Sequence, residues 1–223
     1  MHLILLGDST LDNRSYTMGG LDVRGHIDSR LPQGSSVSLL ARDGDCTHDV
    51  LPYQLEKMPS TATHIVLSVG GNDALGHIGI FGRPEVMNMF GAVSELTDIL
   101  DDFQESYRTC LDQVLAHSLP TVVCTIYNGA FPDPSYQRVL TTTARLFDDV
   151  IIECALDKGC PLVDLRRVCT ESADYFNPIE PGDAGGKKIA SAILSALEPD
   201  PSSISFVYPS GTQLDTQEGH RSF

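Results

Sequence analysis

The first polar residues of the chain form a short segment, Gly7-Asp8-Ser9, which follows the apolar run Leu3–Leu6. Glycine allows a sharp exit from a strand, so we expect Ser9 to stand in the first loop above a sheet. A serine hydroxyl in such a place can act as a nucleophile when a base accepts its proton. Alone this segment is weak evidence, because serine at a helix entry is more often a cap.

Two later segments contain residue types that would stabilise the negative oxygen formed by such an attack. Gly70-Gly71-Asn72 follows the apolar run His64–Val69, and Gly44 follows another run, Val37–Ala41. Glycines let backbone N–H groups approach a bound group closely, and the Asn72 amide offers further N–H donors. A serine between a glycine N–H and an asparagine side chain is the arrangement that acyl transfer requires.

The segments are carried by elements that alternate between strand-like and helix-like patterns. Five apolar runs predict strands: Leu3–Leu6, Val37–Ala41, His64–Val69, Thr121–Ile126 and Pro161–Leu165. The predicted helices are Val23–Leu31, His48–Met58 with Thr47 as N-cap, Val93–Val114, Leu140–Cys154 and Ile189–Leu197 with Asp183 as N-cap. Such alternation predicts a parallel sheet covered by helices on both faces, with reactive groups at the carboxyl ends of its strands.

The three polar segments resemble the first three sequence blocks of the SGNH, or GDSL-type, hydrolase superfamily. Gly-Asp-Ser-x-Leu-Asp-Asn at 7–13, the lone Gly44 and Gly-Gly-Asn-Asp at 70–73 follow the family's order, over a resemblance from about Met1 to Leu197. It implies ester hydrolysis and an α/β fold, a flavodoxin-like three-layer α/β/α sandwich with a five-stranded parallel sheet. It also implies that Ser9 is the nucleophile, and that the Ser9 and Gly44 N–H groups and the Asn72 side chain form the oxyanion hole.

The fourth block departs from the pattern of that family. The family has Asp-x-x-His shortly before the last helix, where the histidine is the general base and the aspartate orients it. The matching residues here are Asn177 and Glu180. A free glutamate is less basic than a free histidine by roughly two pK units, or about 3 kcal/mol. The helix N-terminus would lower the pKa of Glu180 further, whereas desolvation would raise it.

Three interpretations of this change stay open. Glu180 is the base, oriented by an N–H that the Asn177 amide donates, a pairing that avoids the repulsion between two carboxylates. Alternatively, Glu180 only caps the helix or binds a loop and the site is impaired, or a histidine such as His77 or His48 supplies the base. In a pH–rate profile, an acid limb well below pH 6 would indicate a glutamate, and one near ~6.5 a histidine.

The residues therefore predict a serine esterase that hydrolyses a small or medium acyl ester, a small-molecule substrate, without a metal or cofactor. The segments 76–84, with Ile78, Ile80, Phe81 and Arg83, and 127–131 are candidate walls of its substrate pocket. The alternative is a hydrolase-like binding protein that retains a pocket for an ester, an acetyl group or a glycan. Acyl transfer to an alcohol, in place of water, is a third option.

The composition limits the partners and the organisation of the chain. Its 223 residues include 15 Lys and Arg against 30 Asp and Glu, a formal net charge of −15. That balance argues against nucleic acid and anionic membrane surfaces as partners. Because we find no export signal and six cysteines without CxxC spacing, we expect a cytoplasmic protein with reduced thiols. We expect one hydrolase-like domain over residues 1–198 and a partly disordered extension over 199–223.

Overall fold

Five short parallel strands form the centre of the computed structural model, which describes residues 1–77 and 89–198. The strands are β1 (His2–Gly7), β2 (Ser36–Leu39), β3 (His64–Ser68), β4 (Thr121–Cys124) and β5 (Leu162–Val163). Their order across the sheet is β2-β1-β3-β4-β5. The chain moves outward from β1 to β2 and returns on the other side as β3, so a topological switch point lies between β1 and β3. Ligands of open α/β sheets bind at such a point.

Helices cover both faces of the sheet. They are α1 (Val23–Asp28), α2 (Gly71–Gly76), α3 (Met89–Leu115), α4 (Pro134–Asp157) and α5 (Asp183–Leu197). Helices α1 and α5 contact each other on one face, and α3 and α4 contact each other on the opposite face. The three-layer α/β/α sandwich and the five predicted strands are thus confirmed.

The side chains of β1 show why the sheet needs helices on both faces. Leu3 and Leu5 are buried against α1 and α5, whereas Ile4 and Leu6 are buried against α3 and α4. Successive side chains of a strand point to opposite faces of the sheet. A strand made only of apolar residues is therefore fully buried only when helices cover both faces.

The segment of the predicted helix His48–Met58 is helical, but it is not a regular α-helix. The chain forms a 3-10 turn at Thr47–Asp49, a π turn at Val50–Gln54 and another 3-10 turn at Leu55–Lys57. Pro52 has no N–H to donate, which interrupts a regular α-helix here. The predicted cap Thr47 is wrong, because Cys46 is the N-cap and its carbonyl oxygen accepts the N–H of Asp49 at 3.0 Å.

Two further details of the helices differ from the prediction. The N-cap of α5 is Gly182, and Asp183 is the first helical residue, whose carboxylate instead accepts hydrogen bonds from Leu21 N and from Nε2 of His26. Helix α2 was not expected, because six residues with glycine at both ends give no apolar period. Ile78, Ile80, Phe81, Arg83 and the segment 199–223 lie outside the described residues. In the described part of the chain, no helix has the length and apolar character needed to span a membrane.

Candidate active site

Ser9 lies in the turn that follows β1, at the switch point of the sheet. Gly7 has a φ of +138°, and a Cβ at this position would lie 1.7 Å from the carbonyl oxygen of Ser68, so only glycine fits. The Asp8 N–H donates to that same oxygen at 3.1 Å, and Oδ1 of Asp8 accepts the Thr10 N–H at 2.9 Å. This tight turn holds Ser9 in place with 6% of its surface exposed.

The three predicted oxyanion donors stand on the loops after β1, β2 and β3. Gly44 has a φ of +88° and open space where a Cβ would point. In the described residues, neither the Ser9 N–H nor the Gly44 N–H donates a hydrogen bond, so both are free to bind a ligand. Asn72 is the second residue of α2, and one of its two amide hydrogens donates to the Asp45 carbonyl at 2.9 Å. The other hydrogen remains available.

Ser9 and Asn72 line the same cleft, together with Glu180. Gly44 does not line this cleft, although it neighbours Asp45, the residue that holds the Asn72 side chain. The structure thus brings Ser9, Asn72 and Glu180 to one cavity and places the Gly44 loop beside it.

Gln54, which the sequence analysis did not identify, joins the Ser9 turn to the Gly44 loop. Its fully buried side chain accepts the Gly7 N–H at 2.8 Å and donates to the Gly7 carbonyl at 2.7 Å. It also donates to Oδ2 of Asp45 at 2.8 Å. One feature of the sequence could have indicated this role: Gln54 lies in a stretch predicted to be a packed helix, and a buried polar side chain needs a hydrogen-bond partner.

Glu180 lines the cleft together with Ser9, and its carboxyl group interacts with the Ser9 side chain. It is 8% exposed, and its Oε2 is buried without a hydrogen-bond partner in the described residues. Burial raises the pKa of Glu180 to about 7, a hydrogen bond from the Ser9 side chain lowers it, and the carboxylates of Asp43 and Asp8 raise it. Desolvation therefore prevails over the helix N-terminus, which would have lowered this pKa.

Asn177 contacts Glu180 in a way that the sequence did not predict. Its Oδ1 accepts the backbone N–H groups of Ile179 and Glu180, at 2.9 and 2.8 Å. Among the described residues, the Asn177 amide does not donate the expected hydrogen bond to the Glu180 carboxyl group. An asparagine side-chain oxygen can accept hydrogen bonds from backbone N–H groups two and three residues ahead. This local turn holds the backbone from which the Glu180 side chain extends. Phe176 N–H adds a bond to the Glu180 carbonyl at 2.8 Å.

A predominantly apolar cleft extends from Ser9 towards α4. Its apolar walls come from α2, α4 and the loops after β3, β4 and β5: Val69, Ala74, Leu75, Ile126, Phe131, Leu140, Ala144 and Ile179. Four residues of the predicted wall 127–131 line it, namely Tyr127, Asn128, Gly129 and Phe131. No lysine, arginine or histidine of the described residues lines this cleft, so it suits an uncharged, apolar group.

A set of side-chain contacts lies beside the Gly44 loop, outside the residues that line the cleft. The Tyr16 hydroxyl donates to Oδ2 of Asp43 at 2.6 Å, and its ring lies 5.9 Å from the ring of Phe176. The Asp43 N–H in turn donates to Oδ2 of Asp12 at 3.1 Å. These contacts join the loop after β2 to the segment that carries Glu180.

The model of the GDSL-like Lipase/Acylhydrolase family matches residues 5–188, which is well over half of the chain. The chain belongs to this family. No curated protein matches it in sequence.

Solved structures of lipases and esterases share the fold of this GDSL-family chain. Phospholipase A1 from Streptomyces albidoflavus has a TM-score of 0.67 at 16% identity, over 87% of this chain and 98% of the other. A lipase from a goat rumen metagenome has a TM-score of 0.69 at 15% identity, over 88% and 97%. A variant acetyl xylan esterase from Geobacillus stearothermophilus has a TM-score of 0.61 at 15% identity, over 88% and 94%.

The two candidate histidines, His77 and His48, do not line the cleft that contains Ser9. His77 is exposed at the end of α2. His48 has 74% of its side chain exposed, and its Nε2 lies 3.5 Å from Oδ1 of Asp49. The buried His26 pairs with Asp183 at 2.7 Å and does not line the cleft either. In this GDSL-family chain, Glu180 is therefore the candidate base that the described residues place beside Ser9.

Proposed function

We propose that this GDSL-family chain is a serine carboxylic ester hydrolase in which Ser9 is the nucleophile and Glu180 the general base. The observation that carries the proposal is that Ser9 and the largely buried Glu180 line the same cleft, where burial raises the pKa of Glu180 to about 7 and the Ser9 side chain interacts with its carboxyl group. A base poised near the working pH is the most effective in general catalysis.

The reaction would run through an acyl-enzyme. Ser9 Oγ attacks the carbonyl carbon of the ester while its proton passes to Glu180, and the negative oxygen is held by the N–H groups of Ser9 and Gly44 and by Asn72. When the intermediate collapses, the ester C–O bond breaks and Glu180 returns the proton to the departing alcohol. Water then attacks the acyl-enzyme while Glu180 accepts its proton. The bond between the acyl carbon and Ser9 Oγ breaks, Glu180 passes the proton to Ser9 Oγ, and the carboxylic acid is released.

Burial explains how glutamate can replace histidine as the base. A free glutamate is less basic than a free histidine by roughly 3 kcal/mol. A pKa of about 7 removes that deficit, although half of the glutamate is then protonated at neutral pH. Two carboxylates, Asp43 and Asp8, contribute to the upward shift.

The cleft supports an acyl group of small or medium size. Its walls near α4 are apolar and carry no basic side chain in the described residues, which suits a hydrocarbon chain better than an anionic group. The three similar structures reported above include a phospholipase, a lipase and an acetyl xylan esterase, so the fold alone does not select one acyl length.

A second candidate is a binding protein with the same pocket and little turnover. The replacement of Asp-x-x-His by Asn177 and Glu180 favours it, because the family's usual base is missing. A fluorophosphonate probe separates the two functions, since it reacts rapidly only with an activated serine.

The test combines this probe with aryl esters of graded chain length. We expect wild type to be labelled and to hydrolyse at least one ester, Ser9→Ala to lose both, and Glu180→Gln to lose about 10²–10⁴ in kcat. Ser94→Ala, an exposed serine on α3, is the matched control and should behave as wild type. Full activity in Ser9→Ala would refute the nucleophile. Wild-type rates in Glu180→Gln, with Ser9→Ala inert, would refute the base.

A further inference from the structure

Three metal-ligating side chains of different types meet beside the oxyanion loop. One ligand atom each from Cys46, His48 and Asp73 lies within 4.8 Å of the other two. Cys46 and His48 come from the segment after β2, and Asp73 comes from α2. Cys46 and Asp73 are partly buried, whereas His48 is exposed.

We propose that Cys46, His48 and Asp73 bind a divalent cation of the zinc type, with water as a fourth ligand. Sulfur, imidazole nitrogen and carboxylate oxygen are the three ligand classes that zinc accepts, and a mixed set of this kind disfavours magnesium and calcium. Three protein ligands with an open fourth position leave the ion reachable from solvent.

Charge and neighbouring groups fit a dication. A thiolate and a carboxylate with a neutral imidazole supply two negative charges, which a dication balances. The Asp73 carboxylate is held in position because its Oδ2 accepts hydrogen bonds from the Thr47 N–H and the Thr47 hydroxyl, each at 3.0 Å. Asp49 lies 3.5 Å from Nε2 of His48 and accepts the Cys46 N–H at 2.9 Å. Carboxylates beside a histidine are the usual partners that orient a metal-binding ring.

The surroundings provide an entry path of suitable charge. Thr47 and His48 line a surface cavity whose wall from α3 includes Asp102 and Glu105. The carboxylates of Asp73, Asp49, Asp8 and Asp45 all act on the Cys46 side chain and make the potential at its sulfur negative. A cation would enter this potential favourably.

The ion would join two segments that carry predicted oxyanion donors. Cys46 follows Gly44 by two positions in the chain, and Asp73 directly follows Asn72. The site itself does not depend on the proposed esterase function, because its ligands are distinct from Ser9 and Glu180. The site could not be predicted from local sequence spacing, since Asp73 lies far along the chain from the Cys46-x-His48 pair.

Cobalt titration tests the site without any activity assay. We expect the reduced, metal-free full-length protein to bind one Co²⁺ per chain, with a thiolate-to-cobalt absorption band in the near ultraviolet and visible bands of a four-coordinate ion. Added Zn²⁺ should displace the cobalt and remove these bands. A titration of wild type without a thiolate band would overturn the proposal.

Variants assign the ligands. His48→Gln, an exposed residue whose replacement spares the core, should weaken Co²⁺ binding by at least about tenfold, and Cys46→Ser should abolish the near-ultraviolet band. Cys160→Ser, a partly buried cysteine outside the cluster, is the matched control and should retain wild-type binding. A band that persists in Cys46→Ser, or unchanged affinity in His48→Gln, would show that the ion binds elsewhere and overturn the assignment.

Discussion

Oδ1 of Asn177 accepts the backbone N–H of Glu180 at 2.8 Å. Asn177 therefore orients the candidate base through the main chain of Glu180 and not through the Glu180 carboxyl group. The same Asn177 oxygen accepts the Ile179 N–H at 2.9 Å. The turn is therefore closed by an acceptor, while the neutral amide adds no charge beside a carboxyl group that is already buried. This explains in physical terms why an uncharged residue suits position 177 when position 180 is a glutamate.

Removing this acceptor should slow the reaction without moving its pH dependence. Asn177→Ala leaves two N–H groups without their partner and loosens the turn, so we expect kcat to fall about tenfold to a hundredfold with little change in KM. Asn177→Asp keeps the acceptor and should retain most of the rate, but its added charge should shift the acid limb of the profile to higher pH. Steady-state kinetics at several pH values measure both effects.

A purely structural role for Asn177 would give a different pattern. In that case both variants would lose thermal stability in proportion to their lost rate, and Asn177→Asp would leave the pH limb in place.

The rate should follow the ionisation of Glu180. Because burial raises its pKa to about 7, kcat/KM should fall roughly tenfold per pH unit below that value. The expectation that a glutamate would give a limb well below pH 6 is therefore revised, and the position of the limb alone does not separate glutamate from histidine. Its temperature dependence does, because carboxyl groups ionise with little enthalpy and imidazoles with much more. A strongly temperature-dependent limb would contradict the assignment to Glu180.

Asn72 should matter for turnover more than for substrate binding. Asn72→Ala removes the free amide hydrogen that is expected to meet the developing oxyanion, and we expect a loss of about 10²–10³ in kcat with KM nearly unchanged. Comparison of kcat and KM for one activated ester checks this. An equal rise in KM with unchanged kcat would assign Asn72 to ground-state binding and contradict the oxyanion role.

The parts of the site that the sequence predicted are those set by local pattern. Apolar runs identified the strands, and the parallel arrangement then places whatever follows them at one edge of the sheet. Ser9 and Asn72 could be located together for this reason, although 63 positions separate them in the chain.

What the sequence could not predict depends on distant contacts and on burial. The partners of Gln54 lie 47 and 9 positions away, at Gly7 and Asp45, so no local period reports them. The basicity of Glu180 depends on how much solvent the fold removes, which its residue type does not state. The segment 48–58 has the apolar residues of a regular helix, but Pro52 changes the backbone hydrogen bonding there and the chain forms 3-10 and π turns instead.

The depth of the cleft should set the longest acceptable acyl chain. Ala144 on α4 lines this cleft, so Ala144→Phe should shorten it and reduce the hydrolysis of medium-chain esters while acetyl esters are cleaved as before. Rates across a graded series of aryl esters measure the change. Ala116→Phe, at an exposed position after α3, is the matched control. Uniform loss across all chain lengths in Ala144→Phe would instead indicate that the acyl group binds elsewhere.

Glu180 should reduce the stability of the fold as the pH rises. Its pKa is about 7 in the folded state against an ordinary value of 4.5, so the folded protein holds the proton more tightly than the unfolded chain does. The contribution of Glu180 to the free energy of unfolding is complete below pH 4.5 and is lost as the pH rises through 7. Since the shift corresponds to about 3 kcal/mol, Glu180→Gln should become more stable than wild type at pH 8, with a much smaller gain at pH 5.

Urea unfolding of both proteins at the two pH values measures this difference. Glu56→Gln, at an exposed position, is the matched control, and its stability should track that of wild type at both pH values. An equal effect of Glu180→Gln at pH 5 and pH 8 would mean that the carboxyl group is solvated. It would then lack the raised basicity on which proton transfer from Ser9 depends, because the same desolvation that costs stability at high pH makes this glutamate a competent base.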